Sequence, residues 1–346
     1  MSDVRSANPK PPTRAASTAF SAEDTDKRKQ RLLTVLSKGL PTLPQYVLDL
    51  NALLSSASVD LKKVGAVIRT DPSLSAQILR LCNSALFGLR RRVISIEQAA
   101  VLLGTERLRT LVLACSVMQF AGKRLTGPQL STFWQHSFLC ALLSERVARQ
   151  VDYFEKEQAY LGGLLHDIGQ LPLWIVVMDE EARRRPLPPE PWPDDLAIER
   201  DYFGMDHCKV GRSMAVAWNF MPSFIDVFEN HHQPGRAQHD PYLVGIVAAA
   251  DRFLMAQEAE SAADGSGVGA IAELASVPGA PAPSVSAANG SVIAVASAGH
   301  ENDEPTFLQE CLPLLVESER HAVLEILQTE YIHLLPLVRL GLATTA

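Results

Sequence analysis

The chain has no C-x-x-C pair, no apolar run long enough to cross a bilayer, no excess of positive charge and no stacking series of aromatics. Each shortage removes a class of protein. Its five cysteines, Cys82, Cys115, Cys140, Cys208 and Cys311, are scattered. Most fall within helical apolar patterns, so they read as small hydrophobes in a reducing compartment and not as a disulfide framework. The longest apolar runs, Leu171–Met178 and Leu243–Ala250, fall far short of the ~20 residues a spanning helix needs. Arg5, Lys10 and Arg14 stand among Pro and Ser without an apolar segment behind them. No secretory signal is read there, and a cytoplasmic location with no membrane partner is expected. A net charge of -7 argues against a chain-wide nucleic-acid footprint. Of the four tryptophans, Trp134, Trp174 and Trp218 fit helical core positions, while Trp192 lies in a P-W-P loop. Alternating strand patterns and internal repeats are also missing.

What remains is a helical chain. With 346 residues, 47% of them hydrophobic, it can build one large domain or two ordinary ones. Met1 to about Asp26 is polar, rich in Ser, Ala and Pro, and reads as a disordered tail. After the Pro-punctuated Leu40–Pro44, Val47, Leu48, Leu50, Leu53 and Leu54 recur at helical spacing. A second helix fits Val59–Thr70. Asp71-Pro72 then supplies a cap and a first-turn proline for a third, which runs to about Phe87 and ends at Gly88. Ser95-Ile-Glu-Gln98 is a capping-box start for a short helix to Gly104, and Thr105 caps another to about Phe120.

The second half continues the pattern. Phe133–Gln150 is an amphipathic helix and Glu155–Asp167 the next, after which Leu171–Met178 stays apolar. Arg183–Pro193 is a proline-rich connection. Helices fit Asp194–Phe203, Asp206–Phe220, Pro222–His232 and Pro241 to about Glu258. From Ser261 to about Glu304 the chain turns to Ala, Gly, Ser, Val and Pro, a flexible linker. A last helix carries Val323, Leu324, Ile326, Leu327, Tyr331, Leu334 and Leu335, and Pro336 is expected to bend or end it. Docking of this helix on the body and pairing with a second subunit both fit the pattern.

The chemistry gathers around Tyr160–Leu171, Y-L-G-G-L-L-H-D-I-G-Q-L, which places His166 and Asp167 inside an apolar run. A buried carboxylate costs several kcal/mol unless a cation or donors receive it. Asp251 poses the same demand within V-A-A-A-D-R-F-L. His136, His207, His231 and His232 fall on neighbouring predicted helices. A hydrogen-bonded core pair would satisfy His166 and Asp167 alone. The order H, H-D, H, H-H, D suits a metal, because imidazole and carboxylate together match Fe, Mn, Zn, Co or Ni, as one ion or two.

That order resembles the pattern of the HD phosphohydrolase superfamily. The preceding half, L-P-T-L-P-Q-Y-V-L at Leu40–Leu48, D-P-S-L-S-A-Q-I-L-R-L-C-N-S-A-L-F-G at Asp71–Gly88 and S-I-E-Q-A-A-V-L-L-G at Ser95–Gly104, resembles the HDOD (HD-related output domain) family. The likeness covers about Leu40–Glu258. It implies an all-α fold, with an N-terminal helical subdomain over 27–125 and an HD-like subdomain over 126–260, followed by the linker and the segment 305–346. It also implies a bacterial signalling or regulatory module that acts through partner proteins or a ligand, a nucleotide among the candidates. In catalytic HD proteins the positions matching His136, His166, Asp167 and Asp251 hold one metal. Those matching His207 and a member of His231-His232 help to hold a second.

The alternative implied is a metal-dependent phosphohydrolase acting on a nucleotide or cyclic nucleotide, with Asp167 and Lys209 as catalytic candidates. Against the cyclic-dinucleotide phosphodiesterases of the HD-GYP type, H-D-x-x-K reads H-D-I-G-Q, so Gln170 replaces a phosphate-binding lysine, and the G-Y-P triplet is missing. Lys209 or Arg212 could substitute; solvated helix charges are the plainer reading of both. A third reading is DNA binding through Ser95–Thr110 beside Arg90-Arg91-Arg92. It is opposed by the chain's acidity and by Ala99, Val101, Leu102, Leu103, Leu108, Leu111, Val112 and Leu113, all expected to be buried.

Overall fold

The computed structural model describes residues 20–39, 53, 59–83, 92–105, 108, 111, 112, 115, 116, 125, 128–182, 195–218, 220–263 and 306–343. Among these residues all regular structure is helical. The expected tail before Phe20, the Leu40–Pro44 motif, most of the helices around Val47 and Thr105, Gly88, Arg90, Arg91, Trp192 and most of the 261–304 linker lie outside them.

The first helix, α1 (Ala22–Thr34), starts ahead of the expected Lys27 because Ser21 accepts a hydrogen bond from the Asp24 amide and caps it. Its inner face carries a charge that the helical pattern of apolar residues does not reveal. Arg28 is buried, its guanidinium 3.9 Å from the ring centre of Tyr202 and 4.9 Å from that of Phe20. Glu180 pairs with Arg28 at 4.0 Å and with Arg31.

Short helices follow as α2 (Leu61–Ile68), α3 (Pro72–Cys82) and α4 (Ile96–Leu103), which pack on one another. Asp71 caps α3 by accepting from the amides of Ser73 and Leu74, as the Asp-Pro pair requires. Ser95 caps α4 through the Gln98 amide, and the Gln98 side chain takes the Ile94 amide, a capping box displaced by one residue. Asn83 clamps this region by exchanging hydrogen bonds with both backbone groups of Val93. The expected burial of α4 holds for Ala99, but Val101 is 73% and Leu102 47% exposed. An eight-residue helix covered on one side cannot hide apolar side chains on both.

The centre of the molecule is built from α5 (Pro128–Gln150), α6 (Lys156–Leu165) and α11 (Pro241–Ala263). Around them stand α7 (Gln170–Ala182), α8 (Leu196–Phe203), α9 (His207–Ala217) and α10 (Pro222–Asn230). Lys156–Ala182 is long and apolar enough to cross a bilayer by length and composition, contrary to the reading of separate short runs. Of the window that passes, 89% is buried inside the fold, as in a core helix. Glycine permits a close crossing of α5 and α6: a Cβ on Gly163 of α6 would lie 2.7 Å from the Cys140 carbonyl oxygen of α5.

Two C-terminal helices, α12 (Thr306–Cys311) and α13 (Glu317–Ala343), complete the core. The last helix docks on the body: α13 packs on α5, Arg146 pairs with Glu330 at 3.2 Å, and Tyr331 meets Phe253 edge-on. Pro336 does not end it. Buried Leu334 and Val338 on either side keep the helix against the core and offset the ~3 kcal/mol of an interior proline. All five cysteines are buried and free.

Candidate metal centre

Helix ends converge to make the site. His136 projects from the middle of α5, His166 caps the C-terminus of α6, and Asp167 follows in the turn before α7. His207 opens α9, His231 caps the C-terminus of α10 with His232 behind it, and Asp251 lies within α11. All seven sequence-selected residues come together. His136, His166, Asp167, His207, His231 and Asp251 are buried, and His232 is partly so.

Gly169 makes this convergence sterically feasible. A Cβ there would overlap the His207 carbonyl oxygen and lie 2.6 Å from the Gly211 amide nitrogen. The glycine of H-D-I-G thus lets the start of α9 lie directly on the turn that carries Asp167.

Asp167 is the hinge of the geometry. Its Oδ1 lies 3.2 Å from His231 Nε2 and 3.4 Å from His207 Nε2. Its Oδ2 lies 3.3 Å from His166 Nε2 and 3.9 Å from His136 Nε2. Asp251 Oδ1 closes the second group, 3.2 Å from His136 Nε2 and 3.5 Å from His166 Nε2. On the other side, His207 Nε2 is 3.3 Å from His231 Nε2 and 3.1 Å from His232 Nε2. One carboxylate therefore faces two imidazole groups with its two oxygens.

The other ring nitrogens decide what these atoms offer. His166 Nδ1 is 2.8 Å from the Gly163 carbonyl and His231 Nδ1 is 3.0 Å from that of Val227. A carbonyl only accepts, so each Nδ1 carries a proton, and whenever the ring is neutral its Nε2 presents a lone pair. His207 Nδ1 is held the same way by Glu199, at 2.9 and 3.0 Å from its two oxygens. Lone pairs facing carboxylate oxygens repel unless a cation stands between them. His136 Nε2, His166 Nε2, Asp167 Oδ1 and Asp251 Oδ2 are buried and make no hydrogen bond among the described residues. The donors thus fit a metal ion, and the donor atoms of His136, His166 and Asp167 lie within 4.8 Å of one another.

Electrostatics point the same way. Burial opposes charge on Asp167, but His166 outweighs it and holds the carboxyl well below the ordinary range. Burial likewise opposes a proton on His166, yet Asp167 raises its proton affinity well above normal. For His136 the opposing burial is overcome by Glu258 and then Asp251. At His232 burial prevails, reinforced by His231, and pushes the pKa down to about 3. The site demands positive charge, which protons supply and which a metal ion would supply by displacing them.

Four supporting residues lie outside the histidine and aspartate pattern. Glu199 is fully buried and also accepts the His207 amide at 2.7 Å. The only sequence signal was a carboxylate on the inner face of a short helix. Glu258 accepts from His136 Nδ1 at 3.1 Å. Cys208 lies with His207, His231 and His232 in a second group whose donor atoms could hold a metal ion. Gln170 is buried and donates from Nε2 to Asp167 Oδ2 at 2.9 Å.

The family model described as HDOD domain matches residues 40–234. The chain belongs to the HDOD family. The match begins where expected and stops short of Asp251 and Glu258 on α11. An HDOD domain protein of unknown function from Geobacter sulfurreducens is 22% identical; the alignment covers 91% of this chain and 98% of that one, with a TM-score of 0.59. A Shewanella amazonensis SB2B protein named as a candidate phosphohydrolase is 28% identical over 65% of this chain and 80% of its own, with a TM-score of 0.50. An uncharacterized protein of Treponema pallidum (strain Nichols) is 25% identical over 228 residues. That match takes in 62% of this chain and only 42% of the relative's length. The all-α fold and the HDOD assignment therefore stand, and the histidine clusters could bind a metal.

Proposed function

We propose that this chain is a cytoplasmic signal-transduction module of HDOD type that holds divalent metal in its HD pocket and acts through a bound ligand or partner protein. The observation that carries the reading is the set of buried Nε2 atoms facing the two oxygens of Asp167. His136, His166 and Asp251 would hold one ion, His207, His231 and His232 a second, and Asp167 both. A set of nitrogen and oxygen donors suits Fe, Mn, Co, Ni or Zn.

When bound, such an ion supplies Lewis acidity toward a phosphoryl oxygen. The protein's own groups favour regulation over turnover. Gln170, where the HD-GYP pattern has lysine, is turned onto Asp167 and brings no charge to a phosphate. Its hydrogen bond orients the shared carboxylate instead. In this reading the segment 27–125 and the HD-like segment 126–260 are two subdomains, one presenting surface and the other binding.

A phosphohydrolase is the second reading, supported by the 28% identity to the Shewanella protein and by the part-exposed His232. Elemental analysis of protein purified without chelator, beside Asp167→Ala, tests the metal. We expect stoichiometric transition metal in the parent and none in the variant; a metal-free parent refutes the reading. Hydrolysis of nucleotides or cyclic dinucleotides that vanishes in the variant, with helical CD intact, would establish the enzyme instead.

A further inference from the structure

Cys208, the second residue of α9, is buried for a reason the other cysteines do not share. Cys82, Cys115, Cys140 and Cys311 all belong to the contiguous apolar core, whereas Cys208, only 5% exposed, does not. Apolar packing does not account for its place. Its Sγ and one ring nitrogen from each of His207, His231 and His232 lie within 4.8 Å of one another, and no other cysteine joins such a donor group among the described residues. A cavity of about 520 Å³ lined by Cys208, Lys209, Arg212 and His232 opens beside them and gives an ion a way in.

The nitrogens are already spaced as ligands. A zinc–nitrogen bond of about 2.0–2.1 Å puts neighbouring ligand nitrogens of a tetrahedral site about 3.3 Å apart. His207 Nε2 lies 3.3 Å from His231 Nε2 and 3.1 Å from His232 Nε2. One proton bridges only one of these pairs, while a cation among them meets all three nitrogens. Asp167 Oδ1, buried and without a hydrogen bond, faces the same atoms, 3.2 Å from His231 Nε2 and 3.4 Å from His207 Nε2. The spacing and the orphaned oxygen call for a cation independently of the cysteine.

We infer that Cys208 is a thiolate ligand of the ion held by His207, His231 and His232, and that this half of the cluster is a sulfur-containing zinc site. The thiol S–H bond breaks as sulfur binds the ion, and its proton leaves to solvent. Thiolate favours zinc, while the nitrogen and oxygen donors His136, His166 and Asp251 suit a harder ion such as Mn or Fe. The two halves thus differ in chemistry. Three imidazoles, a thiolate and the shared Asp167 oxygen also leave this ion closed, as in sites that organise a protein and unlike those that activate water. The inference deepens the metal reading and rests on it.

The test is X-ray absorption of the zinc-loaded full chain, beside optical spectra with Co²⁺ in place of zinc. We expect a sulfur neighbour at about 2.3 Å from zinc and a thiolate-to-cobalt charge-transfer band in the near ultraviolet. Both should vanish in the near-isosteric Cys208→Ser and in Cys208→Ala, and persist in Cys140→Ala, with the ion at His136 and His166 retained. Zinc affinity on the His207 side should fall by more than the about 10–100-fold lost with a merely supporting residue, read by competitive chelator titration. Metal bound in both halves of the parent without a sulfur neighbour overturns the inference and leaves the metal reading standing. A sulfur signal that survives Cys208→Ser also overturns it. A parent that binds no ion refutes both, and the parent spectra decide without any variant having to fold.

Discussion

Replacing Glu199 by glutamine removes a negative charge from a fully buried position whose two oxygens hold both ends of one relationship. Oε2 receives the His207 amide at 2.7 Å, and the ring Nδ1 lies 2.9 and 3.0 Å from the two oxygens. The glutamine oxygen can serve only one of these donors at full strength. If it keeps the amide, its NH₂ faces Nδ1, which must then accept, and the proton moves to Nε2. That tautomer has no lone pair toward Asp167 Oδ1 and His231.

Loss of such a supporting partner costs metal affinity about 10–100-fold, or roughly 1.4–2.7 kcal/mol. The effect should be one-sided. His136, His166 and Asp251 do not touch Glu199, so one ion is retained while the ion beside His207 is weakened. Elemental analysis and competitive chelator titration of parent and Glu199→Gln read this split directly. Equal metal content and affinity in a variant with unchanged helical CD would refute the tautomer argument. Equal loss from both groups would refute the independence of the two halves.

Other consequences follow from the same packing. Gly169→Ala forces the His207 backbone away from the Asp167 turn, so metal should be lost on that side with about 1–3 kcal/mol of stability, measured by urea unfolding. Arg28→Ala leaves Glu180 paired with Arg31 and removes the stack on Tyr202. Breaking a buried pair costs about 3–5 kcal/mol, and the remaining arginine places the expected loss near the lower end. For metal-free protein the pH dependence has a definite sign. His136 and His166 bind protons more tightly when folded than the ~6.5 of a free imidazole. Their contribution is complete below that value and is lost as pH rises through the higher folded value. Thermal midpoints of chelator-treated protein should therefore fall as pH rises above the ~6.5 of a free imidazole, while added Mn²⁺ or Zn²⁺ abolishes the fall.

Much of the fold could be read from residue order because helix signals are local. Asp71-Pro72, Ser95 and Asp206 all cap the helices they predict. The seven candidate ligands were legible for a different reason: His and Asp within apolar runs demand partners, whatever the topology. The limits were equally physical. Burial of Arg28 depends on Tyr202 and Glu180, more than a hundred residues away in sequence. Continuation of α13 through Pro336 depends on contacts that outweigh a local penalty.

The sequence by itself determined that the chain is helical and that His166 and Asp167 require partners, since periodicity and the cost of desolvating charge are properties of the residues themselves. Only the tertiary structure decided how those partners divide. It places two imidazole groups on the two oxygens of one aspartate, fixes their tautomers through Gly163, Val227 and Glu199, and turns Gln170 inward. It also sets Cys208 against His231 and His232. Direction and distance between side chains on different helices arise from packing, and no local pattern encodes them.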